Sequence, residues 1–276
     1  MTSTTSDQAA RTGGLTPTRL LLLNSAVAFA LACLVMVTLH ELAHALAGVL
    51  QGGSPVLYGF SVDQGPVTDP DEVRNALAGP LFSLVSGLLV LALPTSRLPG
   101  VWRLAVTWFG LVSVQEFSGY LITGPFAHIG DIGTALELSG SPAWLGWLGF
   151  AVGWGLTYLL GRTAVRRLAA FLPDGAPMGT QLRAVGLFAW LLGAAVTVLL
   201  SLGLMSAGDV DVGTVAFEAL GLLTAGIFLV FVRLFLPVAA AAQRRPVTLA
   251  VPVAALVVLV VLAVARQVVL AGGITF

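Results

Sequence analysis

The chain reads as an all-α polytopic membrane protein of about seven transmembrane helices, with a small β-hairpin after the first. Three observations predict this. Of its 276 residues, 57% are hydrophobic and only 9% charged, with a mean hydropathy of +0.97; that leaves too little polar surface to coat a soluble domain. Apolar runs at 20–50, 73–93, 101–123, 143–160, 182–204, 215–236 and 247–270 approach or exceed the roughly 20 helical residues that cross a hydrocarbon core of about 30 Å. Directly after the first run, helix breakers and β-formers interrupt the pattern at 51–66, as a hairpin requires.

Residues 1–19 are polar and rich in Ser and Thr and read as a disordered tail. They are followed by an apolar run too long for a signal peptide. That first run, 20–50, exceeds one crossing, so its last turns can reach a membrane face. Gln51-Gly52-Gly53-Ser54-Pro55 breaks the helix, and Val56, Leu57, Tyr58, Phe60 and Val62 suit short strands that dip back at the surface. Extended backbone there must be buried in protein or line a wet cavity, and an edge strand could hold an unfolded segment by strand addition.

The second run opens with Asn75-Ala76-Leu77-Ala78-Gly79-Pro80-Leu81-Phe82-Ser83, whose small residues allow close approach to the first helix. Asn75 and Ser83 are candidate hydrogen-bond donors to a developing oxyanion. The third run carries Gln115 and Glu116, then breaks at Gly124-Pro125 ahead of His128-Ile129-Gly130-Asp131. The last four runs hold little chemistry. Arg162, Arg166 and Arg167 form a basic cluster suited to anionic headgroups, Trp144 and Trp147 suit a membrane interface, and Asp209 and Asp211 read as a solvated turn. The organisation is a tail (1–19), a core (20–139) and an accessory four-helix region (140–276).

Arginine placement sets the expected orientation. With the tail inside, one face collects Arg11, Arg19, Arg97, Arg103, Arg162, Arg166, Arg167, Arg183, Arg233, Arg244 and Arg245, while the other has Arg74 and Arg266 beside most of the acids. The positive-inside bias puts the N-terminus in the cytoplasm and the end of the first helix outside. The expected location is a prokaryotic plasma membrane. A formal net charge of zero argues against a nucleic-acid partner. There is no lysine, which excludes Schiff-base chemistry and a P-loop. The single cysteine, Cys33, lies in an apolar helix and reads as packing.

The chemistry concentrates at His40-Glu41-Leu42-Ala43-His44. Two histidines four apart share a helix face and can ligate one metal ion, with Glu41 placed to accept a proton from water. With three His and five Glu in the chain, HExxH arises by chance only roughly six times in ten thousand such sequences. A hydrolytic zinc needs a third protein ligand and an open position; Asp131, His128 and Glu116 are the candidates.

The order HELAHALAG, SPVLYGFSVDQGP, NALAGPLFS and a late GDIG resembles the site-2 protease family of intramembrane zinc metalloproteases, over about residues 20–139. The resemblance implies Zn²⁺ on His40, His44 and Asp131, Glu41 as general base, and hydrolysis of peptide bonds in membrane protein or peptide substrates within the bilayer. Ser83 stands where the family usually has Asn, and its Leu-Asp-Gly reads Gly130-Asp131-Ile132 here. Two rival expectations are a non-proteolytic zinc-binding scaffold or regulator and a zinc hydrolase of a small lipid-like substrate.

Overall fold

The computed structural model describes residues 15–127, 130–173, 177–204, 219–242 and 249–276. It is a helical bundle with one small antiparallel sheet. The helices are α1 (Pro17–Leu50), α2 (Asp69–Ala92), α3 (Gly100–Ala127), the short α4 (Gly130–Leu138), α5 (Ala143–Ala169), α6 (Met178–Leu182), α7 (Ala189–Leu204), α8 (Leu236–Ala240) and α9 (Val253–Leu270). A π-helical stretch, Arg183–Phe188, joins α6 to α7, and a 3₁₀ stretch, Ile227–Phe235, leads into α8.

Among the described residues, six segments are long and apolar enough to cross a membrane: α1, α2, α5, Met178–Leu200, Ala219–Ala240 and α9. Helix α3 has the length, at 28 residues, but Gln115 and Glu116 lower its hydropathy. It sits inside the bundle instead, packed against α1, α2 and α5. Its Leu104, Trp108 and Leu111 are fully buried. The expected run at 101–123 is therefore a helix shielded by its neighbours, which is where polar groups are tolerated in a membrane protein.

Helix α1 is the axis. It starts at Pro17, inside the stretch expected to be tail, because Thr16 caps the Arg19 amide and proline suits the first helical turn. Most of its length is buried against α2, α3 and α7. A polar chain pins its first half: the Trp108 indole donates to Ser25 Oγ at 2.8 Å, and Ser25 donates to the Val185 carbonyl at 2.6 Å. Asn24 ties α1 to the segment just before the last helix through the Ala250 carbonyl at 2.9 Å. Each of these three buried donors thus has a partner, as a low-dielectric interior demands.

The sheet sits at the end of α1. Strand β1 (Val56–Leu57) pairs with β2 (Val62–Asp63), in the expected hairpin, and on its other side with β3 (Ile274–Thr275) from the C-terminal end. Arg266 of α9 fastens this arrangement by donating to the Gly59 carbonyl and lying over the Phe60 ring, 3.8 Å from its centroid.

Candidate metal centre

Three elements deliver the site. Helix α1 presents His40 and His44 one turn apart, their rings in edge contact with centroids 4.8 Å apart. Helix α4 presents Asp131 in its first turn, where the positive end of the helix favours a carboxylate. Gly130, at φ +68°, makes that placement possible, and a Cβ there would stand 2.6 Å from the Tyr120 ring. Helix α2 forms the back wall.

His40 Nε2 and His44 Nε2 are 3.1 Å apart, and Asp131 Oδ2 lies 3.0 Å from the first and 3.2 Å from the second. On a tetrahedral metal with bonds of about 2.0–2.1 Å, ligand atoms stand roughly 3.3 Å apart, so the triangle has the right size. Its electronics agree. His44 Nδ1 donates to the Asn75 carbonyl at 2.6 Å, which leaves Nε2 of the neutral ring as a lone pair. His40 Nδ1 meets Ser83 Oγ at 3.1 Å, again freeing Nε2 for the centre. With both Nε2 atoms unprotonated, three lone pairs converge on one point, an arrangement that a metal cation could satisfy, and each imidazole has the outer partner that metal-ligating histidines require. The histidines are 3% and 7% exposed, while the Asp131 side chain, at 23%, faces an opening. Burial acts to raise the Asp131 carboxyl, but N–H donation and positive charge from His40 and His44, which apply when an imidazole is protonated in the metal-free centre, outweigh it and hold the group well below the usual carboxylate range. Asp131 is thus the anionic member of the set.

Among the described residues, His40, His44 and Asp131 are the group that could hold a metal ion. Glu116, the alternative third ligand, lies off the triangle. With Tyr120 it lines a cavity of about 220 Å³ alongside, and the Tyr120 ring stacks on His40 with centroids 5.9 Å apart. His128 lies outside the described residues. Glu41 sits within the electrostatic reach of both histidines, Asp131 and Arg266.

The two residues considered for oxyanion binding take different positions. Ser83 is committed to the far nitrogen of His40. Asn75 touches the site through its backbone carbonyl; its side-chain Oδ1 accepts from Gln51, and its buried Nδ2 has no hydrogen-bond partner among the described residues.

Gly79 and Arg266 were missed as site residues. A Cβ on Gly79 would come within 2.3 Å of His44 Nε2 and 2.6 Å of His40 Nε2. Gly79 is therefore the floor of the triangle, a stricter demand than the helix packing read from its small size. Nothing in the local sequence around Arg266 points across more than two hundred residues to Gly59. Compared with known proteins, the chain matches no family model, no curated protein and no solved structure.

Proposed function

We propose that the protein is a membrane-embedded zinc peptidase. The observation that carries this reading is the triangle of His40, His44 and Asp131 lone pairs, beside Glu41 on the same helix. Two nitrogens and one carboxylate oxygen are a hydrolytic zinc's donor set, with room for one further ligand. When bound, Zn²⁺ supplies Lewis acidity and an acidified water. Glu41 accepts the proton from the attacking water and returns it to the leaving amine. Ser83 and the Asn75 carbonyl hold the imidazoles in orientation, and the unpartnered Asn75 Nδ2 is available to a substrate oxygen. Room for side chains exists in the Glu116–Tyr120 cavity and in an apolar groove of about 350 Å³ between α1, β1 and α9, lined by Leu39, Leu42, Leu57 and Val269 among others. Peptide bonds of an intact helix are shielded by their own hydrogen bonds, so glycine- or proline-weakened segments are the favoured substrates.

The test is a zinc count on detergent-purified protein. About one zinc per chain is expected, lost in His44→Ala and Asp131→Ala and kept in Glu41→Gln. Wild type but not Glu41→Gln then cuts single-span peptides, with products identified by mass. A well-folded wild type that takes up no zinc on reconstitution overturns the reading, and zinc with no Glu41-dependent cleavage reduces it to a scaffold.

A further inference from the structure

At the opposite end of the bundle, a further cavity, open on one side and of about 1240 Å³, is lined by the beginning of α3, the end of α5 and the chain around α8. It is distant from the triangle: Arg103 at its wall and Tyr120 beside His40 are separated by about 25 Å along α3 at 1.5 Å per residue. Arg103, Arg162, Arg166 and Arg167 line it, and among the described residues no acidic side chain does. A flat collar of arginines would only mark a membrane face. Here they converge from two helices onto one hollow.

The four arginines differ in task. Arg167 donates to the Leu91 carbonyl at the end of α2, a structural contact. The Arg103 guanidinium lies over the buried Phe171 ring, 4.7 Å from its centroid, which fixes its plane at the wall. Arg162 and Arg166 are exposed and one turn apart on α5, a like-charge pair that disfavours the helix unless an anion lies between them. The neighbouring hydroxyls of Thr107 and Thr163 donate to the Arg103 and Leu159 backbone carbonyls, so the charged donors facing the hollow are guanidinium groups, with the Thr95 hydroxyl beside them; the planar guanidinium fork matches phosphate oxygens. Leu159, Phe171, Pro237 and Val238 give the wall an apolar side.

We infer that this cavity binds a phosphate group, held by Arg162 and Arg166, and that its occupant is an anionic phospholipid whose acyl region follows the apolar wall. The experiment is titration of the purified, zinc-loaded full chain in detergent with phosphatidylglycerol, phosphatidylcholine or inorganic phosphate, read by native mass spectrometry and melting temperature. Saturable retention of phosphatidylglycerol over phosphatidylcholine is expected. Arg162→Gln/Arg166→Gln should weaken it roughly thirtyfold, each arginine near an anionic headgroup contributing about a factor of five. Arg162→Lys/Arg166→Lys, which keeps the charge, should lose much less. Arg97→Gln, an exposed arginine outside the lining, should bind as wild type does, and all variants should keep their zinc. Inorganic phosphate binding lost in the same double variant, with no preference for lipid, keeps the site and replaces the lipid by a free phosphate. Equal phosphatidylglycerol binding by wild type and the double Gln variant overturns the proposal.

Discussion

At the residue scale, the site is a matter of tenths of an ångström. The three candidate ligand atoms are already 3.0–3.2 Å apart, so binding an ion there would need little reorganisation. The same closeness makes Gly79 irreplaceable. In Gly79→Ala the new methyl would lie 2.3 Å from His44 Nε2 and 2.6 Å from His40 Nε2, and the imidazoles must turn away. We expect zinc affinity to fall by at least about a hundredfold, measured by competition with a chromogenic chelator, while circular dichroism stays helical. Ser83→Ala tests a milder dependence: loss of the outer partner of His40 should cost about 10–100-fold in affinity without a clash. The pairing of His40 with His44 was legible in the sequence because the helix period puts residues four apart on one face. Asp131 was legible as a candidate because it follows a break beside glycines. The part played by Asn75 was not, because it acts through its carbonyl, which every residue carries.

At the scale of elements, the hairpin was readable from its breakers and the helices from their length, but the third strand was not. Ile274–Thr275 is two residues long, too short for any alternation, and its partner lies over two hundred residues earlier. Its pairing changes how a substrate could use the sheet. Both sides of β1 are taken, by β2 and by β3, so an added strand must sit on an outer edge or displace β3. Gly273 is the weak point of that contact. It has φ +73°, and a Cβ there would come within 2.5 Å of Val56 Cγ1. Gly273→Val should release β3, since a side chain in the left-handed region costs about 1–2 kcal/mol before any clash is counted. The expected result is amide exchange in the 55–58 segment at least about tenfold faster, with the 20–34 segment of α1 unchanged. If exchange in 55–58 is unaltered, β3 does not protect β1.

At the scale of the whole molecule, the helices alternate in direction between two unlike ends. The site end carries the hairpin, Asp131, Arg74 and Arg266; the other carries Arg19, Arg97, Arg103, Arg162, Arg166 and Arg167, with the cavity they line. The segregation was readable from the sequence because charges fall between apolar runs. The convergence of arginines into one hollow was not, because it depends on which helix ends meet. If the arginine-rich end faces the cytoplasm, as the positive-inside bias implies, the candidate metal centre is nearer the outer surface. That orientation can be tested with thiol labelling, since the native Cys33 is buried and gives little background. Ser54→Cys, exposed beside the hairpin, should react with a membrane-impermeant maleimide on intact cells or spheroplasts. Leu98→Cys, exposed between α2 and α3 at the arginine-rich end, should react only after permeabilisation. The reverse pattern would put the site on the cytoplasmic side, and with it the pool of segments from which any substrate is drawn.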